Sequence, residues 1–275
     1  MNIKLIDLLA GLDLIAPATL AESWDNIGLM IGDPQREVRS LLLGLDPTLS
    51  LLEEAISRGV DTLVTHHPCI FHPLSSVDLT TPAGTFLEQA LVHKINVIAC
   101  HTNFDSATAG VSDALGMLLG LKDLTPLRPV DSSADMGVGR IGSYHEPISF
   151  QAFMEHAFTA LGSQAVQLAG KVPQSVQRVA LCGGSGSEFA EEAFRKSADV
   201  YLSSEIKHST ARWAEDAGFC VIDATHYATE KPAMVLLGNT LETLALSRGW
   251  DINICQSTSE ESAFTFIYKN DFSIE

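Results

Sequence analysis

The sequence predicts an α/β fold made of two similar halves, with mixed but mostly parallel sheets. Strand-like apolar runs alternate with helix-length segments along most of the chain, a rhythm that favours parallel pairing through crossover helices. The order β-α-β-α-β-α occurs twice, and each time the third strand runs into a polar cluster containing histidine. Between the halves, the stretch Thr125-Pro126-Leu127-Arg128-Pro129-Val130-Asp131-Ser132-Ser133 breaks the periodic pattern and marks a boundary.

The elements follow in order. Met1-Asn2-Ile3-Lys4-Leu5-Ile6-Asp7-Leu8-Leu9 spaces its apolar residues as an amphipathic helix. Residues 40–46 read as a strand and 49–58 as a helix, with Ser50 and Glu53 in capping-box spacing. Residues 60–65 form the next strand. Thr81-Pro82 then opens a helix reaching about Lys94, with the proline where its missing N–H costs nothing. A third strand at 96–100 and a third helix at 110–119 complete the first half. In the middle, residues 136–145 carry Gly137, Gly139 and Gly142 and read as an edge or bulged strand. A helix at 150–161 and a strand at 165–169 follow. The second half repeats the rhythm: strand 178–182, helix 188–196, strand 200–203, helix 208–217 and strand 219–224. A long helix from about Glu230 to Ser247 and a strand at 251–255 close it.

With 275 residues the chain suffices for one large domain or two small ones. An apolar fraction of 46% without low-complexity tracts excludes disorder. A formal charge of −17, with lysines and arginines scattered, argues against nucleic acid as a partner. No stretch approaches the roughly 18 apolar residues of a membrane span. The N-terminus has none of the marks of a signal peptide, so a cytoplasmic location is expected. Cys69, Cys100, Cys182, Cys220 and Cys255 are odd in number and show no close pairing, as expected of buried free thiols in a reducing compartment.

Three strand ends carry the chemistry. Leu63-Val64-Thr65 runs into His66-His67-Pro68, Val97-Ile98-Ala99-Cys100 into His101-Thr102-Asn103-Phe104-Asp105, and Val221-Ile222-Asp223 into Ala224-Thr225-His226-Tyr227-Ala228-Thr229-Glu230. Ligands of open α/β sheets bind outside the carboxyl ends of strands. His66 and His67 adjoin a proline that holds His67 extended, so two neighbouring imidazoles can serve different ions. His226 and Glu230 are four apart and would share one side of a helix start. Alone, Glu230 has a lesser alternative as a first-turn acid favoured by the helix dipole, and Asp105, on a loop, reads at least as well as a turn former. Together, three imidazoles and two carboxylates suit Zn²⁺, Fe²⁺, Mn²⁺, Co²⁺ or Ni²⁺. Five ligands with one bridging glutamate match two ions about 3.5–4 Å apart. His101, beside the cluster, is the candidate proton carrier. His208 and His72 are weaker candidates; His93, His145 and His156 read as surface residues. Gly183-Gly184-Ser185-Gly186-Ser187, between a strand and a helix, reads either as an anion cradle or as a tight turn capped by Ser185 and Glu188.

These motifs, together with Ala21-Glu22-Ser23-Trp24-Asp25-Asn26-Ile27-Gly28-Leu29, occur in an order that resembles the Nif-three-like dinuclear metal-centre proteins, the type 2 GTP cyclohydrolase homologues. The resemblance runs from the first helix to about residue 240 and fits the short form of the family. It implies His66, His67, Asp105, His226 and Glu230 as metal ligands, the same five residues, and places Trp24-Asp25-Asn26 near the metal pocket. It also implies two intertwined α/β lobes and a toroidal homohexamer. Residues 1–124 with about 235–275 would form the first lobe, and 125–234 the second, contributing His226 and Glu230. Three departures stand out: Thr225 where a glycine often precedes the histidine, Glu205 where an aspartate is common, and Ser257-Thr258-Ser259-Glu260-Glu261 in place of an Asn/Pro-rich ending.

The expected function is that of a cytoplasmic hydrolase with two divalent ions per subunit, acting through metal-bound hydroxide on a small molecule or nucleotide. The family name implies opening of the GTP purine ring at the carbon between the imidazole nitrogens. A nucleotide or phosphate-ester hydrolase is the enzymatic alternative, and a non-enzymatic metal-binding scaffold or regulatory protein is the alternative from another class.

Overall fold

The computed structural model describes residues 2–130 and 133–267. From the N-terminus come β1 (Ile3–Lys4), α1 (Leu5–Ile15), β2 (Gly28–Ile31), β3 (Glu37–Val38), β4 (Ser40–Gly44), α2 (Leu49–Arg58), β5 (Thr62–Thr65), α3 (Pro82–Val92), β6 (Asn96–Ala99), α4 (Thr102–Ser106) and α5 (Val111–Leu118). The chain continues through β7 (Lys122–Pro129), β8 (Gly137–Ser149), α6 (Phe150–Leu161), β9 (Gln167–Ala169), β10 (Ser175–Ser185), α7 (Ala190–Arg195) and β11 (Val200–Ser204). It ends with α8 (His208–Ala217), β12 (Cys220–Asp223), α9 (His226–Arg248) and β13 (Asn253–Gln256). No helix among the described residues is long and apolar enough to cross a membrane.

The strands form two main sheets. In the first, ordered β13-β4-β5-β6-β2, four strands run parallel and β2 closes one edge antiparallel. In the second, ordered β7-β8-β10-β11-β12-β9, a parallel centre of β10, β11 and β12 is flanked by antiparallel strands. Each sheet thus has a parallel β-α-β-α-β unit at its centre. Thr62–Thr65 and Asn96–Ala99 are buried at every position, which is why these strands read as continuous apolar runs rather than alternations.

Two helices join the halves. On α5, Ala114 packs into the core around α1 and β4, while its neighbour Leu115 packs into the core of the second sheet. The long α9 starts at the mouth of β12 and buries Ala233, Met234, Leu237 and Leu241 against the first half. It delivers β13 to its place beside β4. The last strand therefore belongs to the sheet of the first half.

Several expectations need correction. Residues 122–129 form a strand rather than a break: Pro126 and Pro129 lie on the edge strand β7, where a missing N–H is tolerated. Conversely, of the edge and bulged readings of β8 the edge is overturned, since it lies between β7 and β10, while the bulge holds, its register with β10 shifting between Ser143 and Ile148; a Cβ on Gly137 would lie 2.2 Å from the Arg128 carbonyl oxygen. The cap of α2 is Thr48, whose Oγ1 accepts from the Leu51 N–H at 3.2 Å, not Ser50. Asp105 sits in a short helix rather than a loop. The long helix begins at His226, a full turn before Glu230, with Pro232 inside it. Asp131 and Ser132 of the expected boundary, and Met1 and residues 268–275 of the expected lobes, lie outside the described residues.

Beyond β13 the chain is tied down by Glu54. Its carboxylate accepts from Ser257 Oγ at 2.7 Å, Ser259 Oγ at 2.8 Å, the Thr258 N–H at 3.2 Å and Arg58 Nη1 at 2.7 Å. Burial works to raise the Glu54 pKa, but these hydrogen bonds outweigh it and hold it at about 2. A depressed folded pKa means stability that is fully present above the ordinary value of 4.5 and lost as pH falls toward 2. Glu54→Gln is expected to cost about 1–3 kcal/mol at neutral pH. Urea unfolding at a series of pH values should show the gap between variant and wild type narrowing below pH 4.5; a gap independent of pH would contradict this role.

Candidate metal centre

The carboxyl ends of the parallel strands from both sheets meet at one place. After β5 the ladder to the β4 side persists, with the His66 N–H donating to the Gly44 carbonyl at 3.3 Å and the His67 N–H to Leu45 at 3.0 Å. The chain then turns at Pro68, so the two rings do not diverge as they would in mid-strand. Their centroids lie 4.9 Å apart. His101 follows β6 and His226 opens α9, with centroids 5.5 and 5.3 Å from that of His67.

All four imidazoles are oriented in the same way. His66 Nδ1 donates to the Cys100 carbonyl oxygen at 2.8 Å, His67 Nδ1 to Asp46 Oδ1 at 2.7 Å, His101 Nδ1 to Asp25 Oδ1 at 2.8 Å and His226 Nδ1 to Glu205 Oε1 at 2.8 Å. An oxygen acceptor at Nδ1 places the proton there and leaves the Nε2 lone pair for the centre, as partners behind metal-ligating histidines do.

Glu230, one turn into α9 and 3% exposed, faces these nitrogens. Its Oε1 is 3.6 Å from His66 Nε2, and its Oε2 is 3.2 Å from His67 Nε2 and 3.0 Å from His226 Nε2. Asp105 Oδ1, projecting from α4, is 3.6 Å from His66 Nε2. Three groups of donor atoms result, each within 4.8 Å: His66, Asp105 and Glu230; His67, His226 and Glu230; and His66, His67 and His101. Among the described residues, His72 and His208 fall outside these groups.

The residues fit a divalent ion. His66 Nε2, Asp105 Oδ1, His226 Nε2 and Glu230 Oε2 are buried without a hydrogen-bond partner. Leaving one such atom unsatisfied costs about 1–3 kcal/mol, so four around one space call for a shared cation. Tetrahedral ligands at about 2.0–2.2 Å from an ion stand roughly 3.3–3.6 Å from each other, close to the spacings here.

The electrostatics express the same demand for positive charge. Burial disfavours the imidazolium at His67, but hydrogen bonds to Asp46 and Glu230 and the nearby charge of Glu230 outweigh it and raise its pKa to about 10. At His226 burial is likewise outweighed by Glu230 and Glu205, giving about 9. Burial pushes Asp105 up to about 7, against the pull of His66. Glu230 is held well below the carboxylate range because its imidazole neighbours outweigh its burial. His101 goes the other way: burial and the charges of His66 and His67 lower its pKa despite Asp25.

The glycine-rich segment proves to be the end of β10, packed against Glu230. The Gly183 N–H donates to Ser112 Oγ at 3.2 Å, Gly184 to Thr229 Oγ1 at 3.0 Å and Gly186 to the Ser204 carbonyl at 3.4 Å, so these amides are spent within the protein rather than presented as an anion cradle. Gly184 has φ +66°, and a Cβ there would lie 2.0 Å from Glu230 Oε1. Opposite it, Thr225 holds φ 68° and ψ 146° at the N-cap of α9, a conformation that costs a non-glycine residue about 1–3 kcal/mol.

Sequence reading found the five proposed ligands and His101 but missed the orienting roles of Asp46 and Glu205. Both follow carboxyl ends of parallel strands, β4 and β11, so the strand-end criterion that found the histidines would have found them as well. Asp25 was flagged only as part of a motif. Its Oδ2 also accepts from the Thr102 N–H at 3.0 Å, which anchors α4 and with it Asp105. A cavity of about 170 Å³ opens beside the cluster between Trp24, His101, Asp105, Glu188 and Glu230, and another of about 250 Å³ opens beside His67, Glu205, His226 and Phe264. Gly184→Ala is expected to displace Glu230 and weaken metal uptake, with the far-ultraviolet circular dichroism unchanged. Wild-type metal affinity in this variant would show that Glu230 is free to move.

The same arrangement of chain is found in known proteins. The chain is 31% identical over 267 residues, covering 95% of it and 94% of the relative, to the GTP cyclohydrolase 1 type 2 homolog of Streptomyces coelicolor. The crystal structure of a Staphylococcus aureus hypothetical protein superposes with a TM-score of 0.91 at 28% identity, covering 97% of this chain and all of that one. Reduced HcgD from Methanocaldococcus jannaschii gives 0.77 at 30% identity, over 93% and 98% of the two chains. The model of the Duf34/NIF3 (NGG1p interacting factor 3) family matches residues 3–262, and the chain belongs to that family.

Proposed function

We propose that this protein is a hydrolase working with two divalent metal ions per chain. The observation that carries the reading is the sharing of Glu230 between two donor groups, one with His66 and Asp105 and one with His67 and His226. Two ions held there would supply Lewis acidity and a nucleophile drawn from water at neutral pH. The protein's own part is to fix the ligands: Asp46, Glu205 and the Cys100 carbonyl hold the imidazoles, and Gly184 leaves room for the Glu230 carboxylate. His101, partly exposed and kept neutral, is placed to accept or return a proton at Nε2 while Asp25 holds Nδ1. The cavity beside His101 and Asp105 supports access by a substrate, and Trp24, which is 57% exposed, offers an aromatic face at its mouth. The names of the relatives direct the choice of substrate to GTP, with opening of its purine ring. The phosphate-ester alternative loses support because the amides at 183, 184 and 186 are already bonded. The odd number of cysteines without close spacing supports a reducing, cytoplasmic setting.

Elemental analysis of reconstituted protein should approach two ions per chain, as a two-ion site requires. Glu230→Ala should weaken both, and Asp105→Ala mainly the one beside His66; a reproducible single ion would sink the dinuclear reading. His101→Ala should keep its metal yet lose about 10²–10⁴-fold in turnover, the scale of acid–base assistance. Loss of metal would instead make His101 a ligand. A metal-loaded wild type inert toward GTP and a panel of phosphate esters would favour the scaffold.

A homohexamer is part of the same proposal. An apolar groove of about 650 Å³ between α5, α6 and α9, with Met117 and Val235 each 50% exposed, supports burial of this face in an assembly. Light scattering is expected to give the mass of six chains, and a metal-loaded monomer at micromolar concentration would contradict it.

A further inference from the structure

The segment after β13 does more than cover the surface. Glu260, whose side chain is 4% exposed, inserts its carboxylate between the two halves of the site. Its Oε1 accepts from the Leu45 N–H at 2.6 Å and the Asp46 N–H at 3.0 Å, the backbone just past β4. Its Oε2 pairs with Lys231 Nζ, and its carbonyl oxygen accepts from Tyr227 Oη at 3.0 Å. Asp46 is the residue that holds His67 Nδ1. Tyr227 and Lys231 each follow a proposed ligand, His226 and Glu230, on α9. Glu260 thus touches the backbone of Asp46, the partner of His67, and two residues of α9 that adjoin His226 and Glu230.

We propose that Glu260 is a positioning residue for the metal centre, acting on His67 through the backbone of Asp46. The inference rests on the metal reading of the site given above. Two N–H groups at a strand end need an acceptor, and Glu260 supplies it, which fixes where the Asp46 side chain starts. A carboxylate that orients a histidine raises its basicity and sets its ring angle, so a shift of Asp46 is felt at His67 Nε2. Glu260 also neutralises Lys231.

The test is metal affinity, read by competition of Zn²⁺ with a chromophoric chelator, together with the visible absorption of the Co²⁺-loaded protein. Glu260→Ala should weaken one of the bound ions by about 10–100-fold, the usual effect of removing an outer partner, and shift the Co²⁺ bands. Asp46→Asn should weaken the same ion. Because Glu260 acts through Asp46, the double variant should match Asp46→Asn within about 3-fold, whereas independent effects would multiply and overturn the proposal. Glu260→Gln keeps an acceptor for both N–H groups and should restore the wild-type Co²⁺ spectrum; this variant carries the test if Glu260→Ala does not fold. A spectrum as altered in the glutamine variant as in the alanine one would overturn the backbone route. Lower thermal stability with unchanged affinity and spectrum would leave Glu260 a tail anchor and nothing more. A wild type that takes up no ion overturns the metal reading and this inference together, while normal uptake by wild type and both variants overturns this inference alone.

Discussion

The carboxylate of Glu230, nearly sealed from water, must have its charge balanced inside the protein. An uncompensated buried charge costs several kcal/mol, and among the described residues no lysine or arginine pairs with it; it faces three imidazoles instead. Either those rings take protons or a cation enters. The upward shifts at His67 and His226 express the first solution, and the orphaned nitrogens and oxygens express the second. The surrounding structure is arranged so that this carboxylate stays where it is. Gly184 lacks the side chain that would displace it, and Thr225 accepts an unfavourable backbone angle so that α9 can begin at His226 with Glu230 one turn later.

That arrangement depends on two sheets whose parallel strands end at the same place. A parallel sheet presents all its carboxyl ends on one side, and the central three strands of each sheet bring six such ends to one small volume. β4, β5 and β6 contribute Asp46, His66, His67, His101 and Asp105. β10, β11 and β12 contribute Gly184, Glu205, His226 and Glu230. Neither half holds a full set. An ion bound between them would bind only the assembled fold, so binding and folding would be thermodynamically linked.

α9 and the segment after it make the coupling mechanical. The helix starts among the donor atoms, runs into the core of the first half and delivers β13 to the β4 edge. The chain then returns past Glu54, which holds residues 257–259, and brings Glu260 to the level of the site. The residues on either side of this long helix are therefore close in space, with Glu260 tied to Tyr227 and Lys231 near its start.

Sequence alone determined the alternation of strands and helices, the repeated order in the two halves and the five proposed ligands with His101. The physical reason is that these properties are local: apolar period, turn residues and polar clusters at strand ends are written within a few residues of one another. Edge and interior were not legible. Pro126 and Pro129 read as a break because nothing local says that β7 has a neighbour on one side only, and the glycines of β8 read as an edge or a bulge because nothing local says that β10 and β7 flank it. Asp105 read as a loop residue because a five-residue helix has too little periodicity to show. The partners behind the histidines were beyond local reading altogether. Glu205 lies 21 residues from His226 and Glu260 lies 214 from Asp46, and only packing the two sheets mouth to mouth brings them within hydrogen-bond distance.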